Sequence, residues 1–144
     1  MGDGIELPDE LATVLAQIHY SVREGDQALL LEVCSRQPGS VDLDDANGWA
    51  ALHWCGRYGN ATLALALCEA GAARDPRTTA DQHTPLHIAA MGGHMDVVLT
   101  LLHFKADVSA RDVEGASALH WAAQGGHAAL IPPLLRAAVL IFNV

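Results

Sequence analysis

The sequence predicts an all-α fold, a solenoid of helix-turn-helix units with short β-hairpin connections, and three observations predict it. The first is a motif that returns in register: Ala50-Ala51-Leu52-His53-Trp54-Cys55-Gly56, Thr84-Pro85-Leu86-His87-Ile88-Ala89-Ala90 and Ser117-Ala118-Leu119-His120-Trp121-Ala122-Ala123. The second is its period, 87 − 53 = 34 and 120 − 87 = 33 residues between the histidines. The third is the glycine and polar residue that each copy then reaches, Gly59-Asn60, Gly93-His94 and Gly126-His127. Such a period marks units that stack on their neighbours, because none buries its apolar face alone.

Each part of the motif has a physical reason. Thr84 or Ser117 suits a helix N-cap, where the hydroxyl accepts from a free backbone N–H. Pro85 suits the first helical position, where its missing donor would be unpaired anyway. Leu86, Ala89 and Ala90 follow at helical spacing, and the small alanines allow close approach of neighbouring helices. Gly93 sits where a tight turn needs positive φ. From His94 a second apolar run, Val97, Val98, Leu101 and Leu102, marks a partner helix. Ala106 to Gly115 then carries the turn residues of a hairpin.

A 33-residue period with T-P-L-H-x-A resembles the ankyrin repeat, over about residues 12–136. The resemblance implies a curved stack that binds other proteins with its hairpin tips and the concave face of its first helices, without catalysis or cofactor. It also implies structural roles for His53, Thr84, Pro85, His87, Ser117 and His120. Each imidazole bridges its own helix start to a neighbouring hairpin. His94 and His127, equally periodic, read as second-helix starts.

Taken in order, residues 1–10 are expected to be a flexible N-terminus and residues 11–44 a degenerate capping repeat. Counting back 34 residues from His53 and Gly59 lands on His19 and Gly25, so the register survives there without the motif. A helix is expected from Asp9 to Gly25, a second from Gln27 to Ser35, and a hairpin from Val41 to Gly48 turning at Asn47-Gly48. Repeats then occupy 45–78, 79–111 and 112–144. In the first, helices fall near Ala51–Tyr58 and Ala61–Glu69. The connection from Asp75 to His83 is expected to be irregular, because Gln82 stands where Gly48 and Gly115 serve the other turns. The last repeat has Pro132-Pro133 inside its second helix, which should be broken or displaced. Its tail, Ala137 to Val144, is atypically apolar, and three readings stand open: a strand or coil folded over the last repeat, the cut end of a longer array, or a free C-terminal peptide ligand.

Composition narrows the function. The chain has 144 residues, 51% hydrophobic and only 5% aromatic, so one domain with an aliphatic and alanine core is expected. The net charge of −9 is concentrated in residues 1–45, where ten acids face Arg23 and Arg36. DNA or RNA binding is disfavoured, and a basic protein partner would be steered toward the N-terminal end unless the acid only keeps the chain soluble. The opening residues lack a signal-peptide pattern, and three cysteines without metal-type spacing argue against a disulfide framework. A cytoplasmic or nuclear protein is expected, without membrane insertion and with a monomer favoured. Cys34, Cys55 and Cys68 read as core residues, Cys34 and Cys68 in place of buried leucines. The repeat histidines stand one per unit, and stacked helices lie about 8–10 Å apart. That is too far for ligands that must approach within about 2.3 Å of one zinc ion. No enzymatic activity, metal or cofactor is expected.

The positions that the register leaves without a structural task form the expected interaction face. They are Asn47, Trp49, Arg57 and Tyr58 in the first full repeat, Asp81, His83 and Met91 in the second, and Glu114 and Gln124 in the third. Tryptophan, tyrosine and arginine are enriched at binding hot spots, so the early cluster is expected to dominate, against a partner with a basic rim around an apolar pocket. Packing of Trp49 on the preceding hairpin is the alternative. The expected function is a non-catalytic adaptor, scaffold or inhibitor. The alternative is a repeat segment that positions another domain of a larger receptor, channel or enzyme.

Overall fold

The structure, a computed structural model, describes residues 9–142. Its helices are α1 (Asp9–Glu24), α2 (Gln27–Arg36), α3 (Ala51–Tyr58), α4 (Ala61–Glu69), α5 (Pro85–Gly92), α6 (Met95–His103), α7 (Ala118–Gln124) and α8 (Ile131–Phe142). They form two layers. The inner layer runs α1, α3, α5, α7, each packed on the next, and α2, α4 and α6 stack in the outer layer. One core threads both, through Ile18, Val22, Leu30, Leu52, Leu63, Leu67, Leu86, Val98, Leu101, Leu130 and Leu134. The Met1–Pro8 part of the segment expected to be mobile lies outside the described residues. Asp9 and Glu10, the other part of it, begin α1.

His53 and His87 each make the same pair of hydrogen bonds. His53 Nδ1 accepts from the Ala50 N–H at 3.0 Å, and its Nε2 lies 2.9 Å from the His83 carbonyl in the following turn. His87 repeats this with the Thr84 N–H and the Ala116 carbonyl, both at 3.0 Å. Because Nδ1 accepts, the proton must sit on Nε2, where it is donated across the junction; both bonds need a neutral ring. The Thr84 hydroxyl donates to His87 Nδ1 at 2.8 Å and accepts from the His87 N–H, so the cap and the bridge are one network. In the last copy Ser117 holds His120 Nδ1 in the same way, but the ring is exposed.

Two further contacts join successive units. Asp42 accepts from the Ala73 N–H at 2.8 Å, and Asp75, one repeat on, accepts from the Asp107 N–H at 2.9 Å. His94 and His127 precede α6 and the last outer segment without capping them by side chain. Their rings lie over the glycine of the repeat before: a Cβ on Gly59 would fall 2.5 Å from His94 Nδ1, and one on Gly93 equally close to His127 Nδ1. Those glycines also hold φ near +73° and +72°. Two constraints therefore coincide there.

The connections are turns rather than strands, since the one β-bridge among the described residues is Asp44 with Ala50. The expected irregularity falls at residues 78–83. The Asp45 N–H reaches the Trp49 carbonyl and the Asp112 N–H reaches Ala116, but the Thr78 N–H reaches His83, one residue further along. That insertion is why the first histidine spacing is 34. Gln82 takes φ +56°, a left-handed conformation costing about 1–2 kcal/mol outside glycine. Its side-chain amide offsets this by donating to the carbonyls of Thr78 and Thr79 at 3.1 Å.

Two expectations need correction. The last outer helix is displaced, as Pro132 and Pro133 require, but it is not lost. A 3-10 turn covers Ala128–Leu130, and α8 starts at Ile131, so both prolines fall in a first turn that needs no N–H partners. The tail from Ala137 to Phe142 continues this helix, not a strand or coil; Asn143 and Val144 lie outside the described residues. Cys34 and Cys68 do not stand in for fully buried leucines either. At their register Leu102 is half-buried and Leu135 is 45% exposed, while the sealed row lies one residue earlier, at Val33, Leu67, Leu101 and Leu134. Cys55 and Cys68 are buried and Cys34 half-buried, and desolvation raises all three thiols above their ordinary range.

The bridge makes two outcomes testable. His87→Ala should lower the unfolding free energy by about 1–3 kcal/mol, since it leaves the buried Thr84 N–H without its acceptor and takes one of two donors from the Ala116 carbonyl; an unchanged urea midpoint would remove the bridge from the account. Burial, only partly opposed by the carbonyls, lowers the His53 and His87 pKa below 6.5. The unfolded chain then binds protons that the folded one refuses, so stability is complete above about pH 6.5 and falls as pH drops through that value. Urea midpoints at pH 7.5 and 5.5 should show that fall, smaller in His87→Ala. A midpoint that rises on acidification contradicts it.

Candidate functional site

The inner helices and turn tips carry two adjoining depressions. One, of about 530 Å³, lies between α3 and α5 and is lined by Trp49, Trp54, Arg57, His83, Ile88, Met91, Gly92 and His94. The other, of about 320 Å³, lies between the first and second tips and is lined by Ala46, Asn47, Trp49, Thr78, Thr79, Ala80 and Asp81. Trp49 borders both. The structure thus brings together six residues singled out from sequence: Asn47, Trp49, Arg57, Asp81, His83 and Met91. Tyr58 is exposed beside them. Glu114 and Gln124 are exposed on the third repeat and line neither depression.

The tips are held in place by short-range polar contacts. Asp45 Oδ1 accepts from the N–H groups of Asn47 and Trp49 at 2.9 and 3.0 Å. Asp112 Oδ1 does the same for Glu114 and Ala116, both at 2.9 Å. Adjacent tips are joined edge to edge, the Thr79 N–H donating to Asn47 and the Val113 N–H to Asp81, both at 3.0 Å. Arg77 reaches over the next connection to the Arg111 carbonyl at 2.7 Å. Asp81 and Glu114 therefore present carboxylates from an anchored backbone.

Trp49 does not stand free. Its ring lies 4.5 Å from Trp54, which stacks on His19 at 4.5 Å and on Tyr58 at 5.8 Å. These aromatic rings form a ladder along α3 from the first repeat to the groove edge. Trp54, its centre, was missed by sequence reasoning because it occupies the variable place of L-H-x-A. The available signal was its four-residue spacing from Tyr58, which puts both on one helix face.

His83 also differs from expectation, because it has structural tasks. Its carbonyl takes the His53 bridge and its Nε2 lies 3.2 Å from Asp112 Oδ2, with the ring edge-on to Trp121 at 5.8 Å. Asp112 was missed entirely. Buried, it accepts from two backbone N–H groups and from the Trp121 indole at 2.8 Å. Burial alone would raise its pKa, but these donors outweigh it and hold the carboxyl below the ordinary 3.8. Met91 splits its roles: its carbonyl accepts from His127 Nε2 at 2.9 Å while its side chain lines the groove.

A repeating helix pair, a histidine that bridges each helix start to the next turn, and a covered glycine after each inner helix define the unit. The chain belongs to the ankyrin-repeat family. A family model for ankyrin repeats in three copies matches residues 72–141. Inversin of Gallus gallus is 38% identical over 109 residues, covering 76% of this chain and 10% of that protein. Alpha-latrotoxin-Lg1a of Latrodectus geometricus is 26% identical over 110 residues, covering 75% and 8% respectively. The ankyrin and armadillo repeat-containing protein of Homo sapiens is 29% identical over 94 residues, covering 61% and 6%. The ankyrin-repeat chain thus spans about a tenth or less of these relatives. Ankyrin repeats are protein-interaction modules, and the family is generally non-catalytic, which gives this chain a general protein-binding role. Among the described residues no helix is long and apolar enough to cross a membrane.

Asp112→Asn should be more damaging than its size suggests. Whichever way the amide turns, its NH2 meets donors, either the two tip N–H groups or the Trp121 indole and His83. A loss of about 1–3 kcal/mol is expected in urea melts, with His83 and Trp121 resonances shifted. A neutral midpoint would show that the carboxylate is dispensable to the third tip.

Proposed function

We propose that this chain acts as an adaptor, scaffold or inhibitor whose partner lies across the α3–α5 groove and the first two tips. The observation that carries this reading is the groove's make-up. The half-buried indoles of Trp49 and Trp54 and the half-buried Met91 supply apolar contact area, and exposed Arg57 stands at their edge. Aromatic and arginine side chains in a concavity are the residue types that dominate binding energy. The rim is acidic, with Asp44 and Asp81 exposed at the tips and Asp45 behind Trp54. Arg77 and Arg111 are occupied by backbone carbonyls. This favours a partner that inserts an apolar side chain and surrounds it with lysine or arginine. Three free thiols favour the cytoplasm or nucleus as the place of action.

A second reading rests on the small share of its relatives that the chain spans. There, the repeats would position another domain of a larger receptor, channel or enzyme, and the groove would receive a segment of that domain.

The test uses Arg57→Glu and Met91→Glu rather than tryptophan substitutions, because removing Trp49 or Trp54 disturbs the ladder. Arg57 is exposed and Met91 half-buried at the groove wall, so urea melts of both variants accompany the titration and should show them folded. Crosslinking identifies the partner, and titration with that purified partner should then show binding weakened at least tenfold by Met91→Glu, which sets a charge against the inserted apolar side chain, while Arg57→Glu, which adds acid opposite a basic rim, should steepen its salt dependence. Undiminished binding by Met91→Glu overturns the groove.

A further inference from the structure

The junctions that follow α3 and α5 are closed in the same way, and the last repeat presents the closing groups uncovered. His53 and His87 are 0% and 1% exposed and donate to the next turn, whereas exposed His120 has, among the described residues, only its own helix start as partner. Gly59 and Gly93 lie under the next repeat's histidine, whereas Gly126, with the same left-handed backbone, has nothing among the described residues within 4 Å of its Cβ position. Ala90 is fully buried, and Ala123, its equivalent, is exposed. The face formed by α7 and α8 therefore has the pattern of an interior junction with one side missing.

The opposite end carries the missing side. On α1, Ala12, Leu15, Ala16 and His19 face Trp54 of α3, whereas Glu10, Thr13 and Gln17 lie on the other side of the helix and border a groove of about 440 Å³. Tyr20 occupies the register of Trp54, Ile88 and Trp121. In the interior these residues lie on the repeat before: Trp54 stacks 4.5 Å from His19, and the Ile88 methyl is 3.6 Å from the Cβ position of Gly56. Tyr20 is 49% exposed, with no repeat before it among the described residues. Asp26 likewise occupies the register of Asn60, His94 and His127, the residues that cover the glycines.

We propose that copies of this chain associate end to end, α1 and α2 of one resting on α7 and α8 of the next, so that the stack continues across the junction. In that arrangement Tyr20 takes the place against His120 that Trp54 takes against His19, and Asp26 lies over Gly126. Charge supports the pairing of unlike ends. Residues 1–45 carry ten acids and two arginines, whereas residues 115–144 contain no Asp or Glu and carry Arg136. Two copies of the acidic end repel, and one acidic end meets one cationic end favourably. Because the two surfaces differ, the contact is heterologous, and each added copy leaves a free face of each kind.

Sedimentation velocity from micromolar to millimolar concentration tests this. The weight-average mass of the wild type should rise with concentration, less so in high salt. Ala123→Glu blocks one face and Tyr20→Lys the other, both at exposed positions, and each variant alone should associate at least tenfold more weakly. Their equimolar mixture should form a dimer and grow no further, because it holds one usable face of each kind. Leu135→Glu replaces Ala123→Glu if the latter lowers the urea midpoint. A wild type that stays monomeric throughout, a mixture that does not pair, or a Tyr20→Lys variant that still self-associates like the wild type each overturns the proposal. The last outcome would indicate pairing of two α7–α8 faces instead. The groove variants Arg57→Glu and Met91→Glu should leave this association unchanged, which separates it from partner binding.

Discussion

The neutral imidazole that spans the junctions after α3 and α5 is the constraint on which the rest depends. A single ring satisfies an N–H at the start of its own helix and a carbonyl in the following turn, and it does so only in one tautomer. The helix-start N–H could not be left unpaired in its buried place without a penalty of about 1–3 kcal/mol. Each turn must therefore deliver its carbonyl to a fixed point, whatever its own length. That requirement explains the connection before α5, which takes in an extra residue and holds Gln82 in a left-handed conformation yet still places the His83 carbonyl within 2.9 Å of His53. Local strain is accepted so that the junction is preserved.

Much of this was legible in the sequence because the bridge depends on residue type and period alone. A histidine three residues after a Thr or Ser cap, repeated at the stacking interval, leaves few geometries open. What the sequence hid was where neighbours add to the pattern or remove from it. His19 keeps the register, but it sits in the middle of a long α1, where no free helix-start N–H exists, so its ring stacks on Trp54 instead of bridging. Pro132 and Pro133 read as helix breakers because the helix was assumed to begin with its siblings; once α8 starts at Ile131 they are ordinary first-turn residues. Cys68 was aligned with leucines one residue away from the sealed row, an error that period alone could not expose.

The same logic separates the candidate site residues into two kinds. At the third tip Asp112 gathers two backbone N–H groups, the Trp121 indole and His83, a network whose members have little freedom to meet a partner. At the first tip Asp45 orders only the turn, and the aromatic rings above it are held by stacking. Stacked rings can slide at small cost, whereas paired hydrogen bonds cannot. The first tip and α3 therefore form the adaptable part of the surface, and the third tip forms a rigid abutment that keeps His83 and the α5 start in place. From sequence, both tips looked equally free, because an aspartate that caps a turn and one that also recruits an indole are the same letter.

Contacts in a linear stack reach only the adjacent unit, so stability and recognition divide in a way that a globular core does not allow. The α3–α5 groove depends on one junction, the His53 bridge, and on the turn that carries His83. The remaining junctions set how rigidly that pair is held, but they add no side chain to its lining. Changes in the α7–α8 unit therefore reach the groove where Met91 lends its carbonyl to His127 and Asp112 sets its carboxylate beside His83. A partner that pulls on Met91 or His83 acts directly on the next junction, so occupancy of the groove and closure of the third repeat are coupled through these two contacts.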